Sequence, residues 1–416
     1  MIRRADLALI GQGALLALLA LLVLASPAQA QTDCAAQEDT QALREPVYRR
    51  VEAASRAIQE GNAAQAADKL ATLAGNVEGY ERAVVLQTLG YAYVESGRDA
   101  QALDAFAEAL AMEALPRTPQ QQLRYNTAQL QIALGRTDVG IDTLRRYLAE
   151  ACEAPPARAH MLLASALAEK ERYRESLVQV EAAFAKAEAP IETSWLRFKL
   201  GLHFETGAYD AAAEVLLVLI ERAPLDVSAW KQLVGAYFEA GDRRRALAAQ
   251  ALSRRLGLLD EPKALRNLAN LYRALDIPYK AGLVLREAMA KGRLPQSAET
   301  WEALANAWIA AREWQRADEA LLAAAEAGGK AELLVRLGQV RVERGNWQAA
   351  VRAFSDALQR GVGTASRVRY QMGIAAWRAG DVDTARSALQ AARDDPEQRQ
   401  AAQQWLDFIE RSVEAG

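Results

Sequence analysis

Residues 230–247 read WKQLVGAYFEAGDRRRAL. Trp230, Leu233 and Tyr237 are spaced three and four apart, so they share one face of a helix. Gly241 follows where that helix must stop, because a residue without a β-carbon takes the left-handed turn that ends a helix. A second helix starts after it. Ala246 falls five residues past the break, where the second helix crosses the first, and a larger side chain there would push the two apart. One unit is therefore a helix, a tight turn and a helix.

The unit returns along the chain, with breaks at Gly61, Gly97, Gly135, Glu171, Gly207, Gly241, Asp276, Arg312, Gly345 and Gly380. The fifth residue after each is small and nearly always Ala. The near-constant interval between breaks marks stacked supersecondary units rather than one globular core. The fuller series runs Leu86, Leu89, Gly90, Tyr93, Gly97, Ala102, Phe106, Ala109. It recurs as Trp301, Leu304, Ala305, Trp308, Ala317, and as Leu334, Leu337, Gly338, Gly345, Ala350, Phe354, Ala357. This series resembles the tetratricopeptide repeat, a helix-turn-helix unit of about 34 residues. The resemblance implies an all-α chain, a right-handed α-solenoid of about ten helix pairs over residues 45–395. The units at Gly61, Gly135 and Glu171 carry fewer signature residues.

Prolines punctuate the unit boundaries at Pro116, Pro119, Pro155, Pro156, Pro190, Pro224, Pro262, Pro295 and Pro396, since proline opens a helix well and is costly inside one. Pro278 is the exception, expected in the turn inside a unit. After Pro396, Glu397 to Ser412 read as an amphipathic helix with Trp405, Phe408 and Ile409 on its apolar face, which would cap the stack within 396–416.

The chain has 416 residues, 51% of them hydrophobic but only 6% aromatic, and a net charge of −3 with signs interspersed. Alanine supplies much of the apolar count and suits close helix approach. The balance argues against nucleic acid, which calls for a basic face. Arg243-Arg244-Arg245 is the one dense basic spot, and it reads first as a solvated helix face.

Residues 1–30 read as a secretory signal peptide. Arg3 and Arg4 precede an apolar run from Ala14 to Ala25, and Ala28-Gln29-Ala30 offers small residues for cleavage. The run is short for a membrane span of about 20 residues, although an uncleaved anchor stays open. Residues 31–44 form an extended leader. The only cysteines are Cys34 and Cys152. An oxidising compartment would permit a disulfide between them; the alternative is one buried and one exposed thiol.

No catalytic signature stands out. His160 and His203 fall inside helices without a partner at metal-ligand spacing. There is no nucleophile elbow, no zinc-protease helix motif and no phosphate-cradling loop. The expectation is a binding protein without cofactor or metal, not an enzyme. A cell-wall hydrolase is the least favoured alternative.

In such a stack the first helices line a concave groove, and the residues between the signature positions face it. These are Arg197, Phe204, Lys231, Phe238, Arg266, Asn270, Arg273 and Asn306, a basic, amide and aromatic set suited to an extended acidic or carboxylate-ended peptide. Carboxylate-holding members of the repeat family use Lys, Arg and Asn on successive first helices, and Arg266, Asn270 and Asn306 match them loosely. All eight Trp lie after residue 190, most at core positions. Trp377, with Tyr370 two helical turns earlier, is the expected exposed anchor.

The C-terminal half carries Leu268-Ala-Asn-Leu271-Tyr272, Ile277-Pro278-Tyr-Lys-Ala281, Leu285, Lys291-Gly292, Leu304-Ala-Asn-Ala-Trp308, Ala317 and Gly345-Asn-Trp347-Gln-Ala-Ala350. It is similar to the periplasmic repeat proteins associated with TonB energy-transducing systems; Gly282 departs from their pattern, which has a second Ala there. The resemblance implies a periplasmic accessory whose partners are TonB, ExbB or ExbD components, with membrane contact only through those partners or an uncleaved anchor. A scaffold of envelope polysaccharide export or secretion is the alternative.

Overall fold

The ten sequence breaks all adopt the left-handed backbone the pattern demands. Gly61, Gly97, Gly135, Gly207, Gly241, Gly345 and Gly380 have φ between 68° and 82°, and the non-glycine breaks Glu171, Asp276 and Arg312 sit at 56° to 57°. The computed structural model describes residues 41–414 apart from Cys152. The signal peptide, most of the leader, and the Cys34–Cys152 pairing lie outside the described residues.

Around those turns the chain folds into helix pairs, and the described residues are helical with no strand. Contacts divide the chain into two compact units, Met1–Thr206 and Gly207–Gly416. In the first lie α1 (Glu45–Gln59) and α2 (Ala63–Ala74), α3 (Gly79–Glu95) and α4 (Asp99–Ala111), α5 (Arg117–Ala133) and α6 (Thr137–Glu150), α7 (Ala157–Glu169) and α8 (Tyr173–Lys186), and α9 (Thr193–Glu205). In the second lie α10 (Tyr209–Arg222), α11 (Val227–Glu239) and α12 (Arg243–Arg255), α13 (Pro262–Ala274) and α14 (Pro278–Ala290), and α15 (Ala298–Ala310) and α16 (Trp314–Glu326). The second unit continues with α17 (Ala331–Glu343) and α18 (Trp347–Gln359), α19 (Ala365–Arg378) and α20 (Val382–Arg393), and the final α21 (Arg399–Glu414).

Nine of the ten turns, all but that at Gly207, show one hydrogen-bond pattern. In the Gly241 turn, Gly241 N–H donates to Phe238 O at 3.0 Å and Asp242 N–H to Tyr237 O at 2.9 Å. The second bond closes the wider loop typical of a left-handed helix end. Asp242 then caps the next helix by accepting from Arg245 N at 2.8 Å, as Asn346 and Asp381 do for Ala349 and Thr384. Pro278 is not in the turn: it is the first residue of α14, where its missing N–H strands nothing.

The small residue five past each break is buried in every unit. Eight are alanines no more than 1% exposed. Ser176 takes the same slot in α8, where its hydroxyl donates to Ala164 O at 2.7 Å. Gly140 takes it in α6, where a β-carbon would stand 2.6 Å from Ile132 Cγ1. A second close approach recurs on the first helices. Gly90 and Gly338 face the rings of Phe106 and Phe354 so closely that a β-carbon would come within 2.2 and 2.5 Å of them. Gly282 is explained in the same way, because its β-carbon would meet the Trp308 ring at 2.6 Å. The ring fills the space that an alanine would need.

Each unit has its own apolar core. Leu70, Leu86, Leu89, Phe106 and Leu123 are buried together in the first. Leu265, Leu285, Leu304, Trp308, Leu321 and Leu337 are buried together in the second. The second core holds one charge. Asp318 on α16 is 8% exposed and accepts from Arg341 at 3.2 Å and Arg344 at 2.7 Å. Beyond the last pair, α21 lays Ala402, Leu406 and Ile409 on Ala376, Leu389 and Ala392, the role expected of a cap.

Candidate partner-binding cleft

Within the second unit the first helices do not pack alike. α15 and α17 are laced together: Arg336 donates to Glu302 at 3.0 Å and also to Asn306. Gln339 on α17 reaches Gln371 on α19 at 3.3 Å. A hollow of about 620 Å³ borders α15 and α17, and between α11 and α13 there is a cleft of about 910 Å³.

Its walls follow from helical spacing. Lys231, Val234, Gly235, Phe238 and Glu239 recur every three or four residues on one side of α11, and Lys263, Ala264, Asn267, Asn270, Leu271 and Ala274 do so on α13. Leu259 and Glu261 come from the loop before α13, and Arg243 and Gln250 come from α12. Lys231 reaches Glu261 at 2.7 Å and ties the two sides together. That hydrogen bond holds the Glu261 carboxyl below the usual carboxylate range. Lys231, Arg243 and Lys263 face only Glu239 and Glu261, which leaves the walls slightly positive.

Three features of the cleft stand out. Phe238 is 56% exposed, a large ring presented to solvent. Gly235 stands mid-helix, yet a β-carbon there would meet nothing within 4 Å, so close packing does not require a glycine. Gln250 is 3% exposed; its Nε2 donates to Ala264 O at 2.6 Å, while its Oε1 has no partner. A buried acceptor left unpaired costs about 1–3 kcal/mol.

Of the sequence-predicted groove residues, the structure brings Lys231, Phe238 and Asn270 into this cleft. Asn270 and Arg273 also line an adjoining hollow of about 480 Å³ with Asp276 and Pro278. Arg266 lies exposed on α13, outside both. Asn306 is engaged by Arg336, so Arg266, Asn270 and Asn306 do not form one clamp. Arg197 and Phe204 belong to α9 in the first unit, exposed and half-buried respectively. Tyr370 and Trp377 are half-buried against the α20–α21 core, and the Trp377 ring meets Phe408 edge-on at 5.8 Å. The cap helix therefore takes Trp377 into packing.

The arginine run divides its work. Arg245 bonds Asp242 at 2.6 Å and Asp210 at 3.2 Å and lies 5.0 Å above the Tyr237 ring, whereas Arg243 lines the cleft. His160 Nδ1 pairs with Gln179 at 3.0 Å. Among the described residues no group of His, Cys, Asp and Glu is placed to hold a metal ion, and no helix is long and apolar enough to cross a membrane.

Comparison with known proteins follows the same lines. A family model described as tetratricopeptide repeat matches residues 87–155, 125–190, 161–227 and 335–402, together half of the chain. No curated protein matches the chain. Among solved structures, a tetratricopeptide repeat protein from Parabacteroides merdae is 14% identical, over 80% of this chain and 99% of its own, with a TM-score of 0.38. YrrB, described as a TPR protein with an unusual peptide-binding site, is 18% identical over 47% of this chain and 100% of its own, with a TM-score of 0.36. MamA is 21% identical over 42% of this chain and 94% of its own, with a TM-score of 0.34. None of these says what this chain binds.

Proposed function

The chain belongs to the tetratricopeptide repeat family, and we propose that it is a protein-interaction scaffold that holds an extended partner segment in the cleft between α11 and α13. The cleft itself carries this reading. Helix backbones offer no unpaired edges to a partner, so affinity must come from side chains. Here an apolar floor, an exposed aromatic ring and several amides converge at one place. Lys231, Arg243, Lys263, Asn267 and Asn270 suit a segment with acidic or carboxylate character. No catalytic constellation competes with this reading among the described residues.

The compartment and partner form the finer part of the proposal. The N-terminal reading of residues 1–30 supports export to the periplasm. The motifs between Leu268 and Ala350 support an accessory role in TonB-dependent transport, with TonB, ExbB or ExbD as partners. The test is fractionation of cells of a Gram-negative host expressing the full chain, followed by crosslinking and mass spectrometry. The expected result is a periplasmic protein lacking residues 1–30 and crosslinked to TonB-system components. Recovery of polysaccharide-export or secretion proteins would reassign the system. A cytoplasmic protein with residues 1–30 intact would refute the compartment.

A further inference from the structure

We propose that residues 31–40 cross a polar hollow on one edge of the first unit and are fastened there by a disulfide between Cys34 and Cys152. In a stack of helix pairs, first helices begin and second helices end on the same edge. In the first unit that edge carries a hollow of about 490 Å³. Gln41 lines it just before α1, Tyr80 at the start of α3, Arg117 and Arg124 on α5, and Glu150 at the last residue of α6. Both approaches are tied down. Arg44 N–H donates to Glu81 Oε1 at 2.8 Å, which fixes the end of the leader on α3. Gln121 Nε2 donates to Glu150 O at 2.9 Å, and Arg124 pairs with the Glu150 carboxylate, which fixes the end of α6 on α5.

Reach then decides the pairing. Cys34 stands seven residues before Gln41, and Cys152 two residues after Glu150. Seven extended residues span about 23 Å and two about 7 Å, whereas a cube of the hollow's volume has an edge of about 8 Å. The chain leaves the helix at Ala151, whose φ of −64° and ψ of 129° are extended. Both cysteines are therefore within reach of the Cα separation of about 5.5–6 Å that a disulfide needs. Charge is no obstacle. The leader carries Asp33, Glu38 and Asp39 between positions 31 and 40. In the hollow Glu150 is taken by Arg124, and Glu113 is offset by Arg117, which makes no ion pair among the described residues.

The bond needs an oxidant that itself carries a disulfide, such as oxidised glutathione. One cysteine thiolate attacks its S–S bond, forming a mixed disulfide and releasing one thiol. The other thiolate attacks the protein sulfur of that mixed disulfide and releases the second thiol. Two electrons pass to the oxidant, and the protons of the two cysteines end on the two released thiols.

The test equilibrates the purified full chain with oxidised and reduced glutathione, quenches with iodoacetamide and reads masses before and after proteolysis. The expected product is a monomer lighter by two hydrogens, with no alkylated cysteine and one peptide pair joining Cys34 to Cys152. Its formation should be favoured at least about tenfold more in the folded protein than in urea, because the hollow holds the two ends together. Two alkylated cysteines, a glutathione adduct on each, or a bond between two chains would overturn the inference. So would an intrachain bond favoured no more in the folded protein than in urea, since the leader would then not lie across the hollow. Each of these outcomes leaves the cleft of the second unit and its partner untouched.

Discussion

Gly241 and Arg312 occupy the same place in two turns, with φ of 78° and 56°. A β-carbon in this region costs about 1–2 kcal/mol, offset in part by the greater freedom of glycine in the unfolded chain. Gly241→Ala should therefore destabilise the protein by about 1 kcal/mol, and Arg312→Gly should stabilise it by about 0.5 kcal/mol in thermal or urea unfolding. Gly235 has a helical φ, open surroundings and no packing need, so Gly235→Ala should stabilise by about 0.5–1 kcal/mol. Gly282 is the opposite case. Gly282→Ala should cost about 1–3 kcal/mol, and less on a Trp308→Leu background, where the colliding ring is gone. These turns were legible in the sequence because φ preference is a local property. The need for glycine at 282 was not, because it arises from a tryptophan of the following helix pair that only packing brings near.

The pairing of helices follows from the apolar spacing and the alanine after each break, and the structure repeats it along both units. Spacing within helices says less about which first helices part from one another. Lys231, Phe238 and Asn270 were readable as groove residues because each lies between signature positions. Gln250 was not, since it lies on a second helix and borders the cleft only where α11 and α13 stand apart. Trp377 was misleading because its register suggested exposure, while a helix from beyond the repeats covers it. Two expectations belong to contacts between elements. Asp318→Ala would leave the partly buried Arg341 with only its bond to Ala349 O and Arg344 without its carboxylate, and should cost about 2 kcal/mol because both arginines retain some water. At the cleft, Lys231 lowers the Glu261 pKa, so this ion pair contributes stability above the ordinary carboxylate value. The contribution is lost as pH falls through the lowered value. In Lys231→Ala, Glu261 should titrate higher than in the wild type, as followed by NMR of the glutamate carboxyls.

Across the chain as a whole, stability is a sum of neighbour contacts, so the final pair depends on its cover. Removing residues 396–416 would bare Ala376, Leu389 and Ala392 and delete the buried Leu406 and Ile409. That truncation should destabilise the second unit by about 3–5 kcal/mol and promote aggregation through the exposed face. Among the described residues, the cleft between α11 and α13 is where an exposed ring, amides and charged groups come together. The most direct test is photocrosslinking in cells from position 238, beside the cleft, compared with position 252 on the exposed side of α12. Position 238 should capture a distinct set of proteins that position 252 does not, and Gly235→Trp should abolish that capture. Equal capture from both positions, or capture unchanged by Gly235→Trp, would contradict the account.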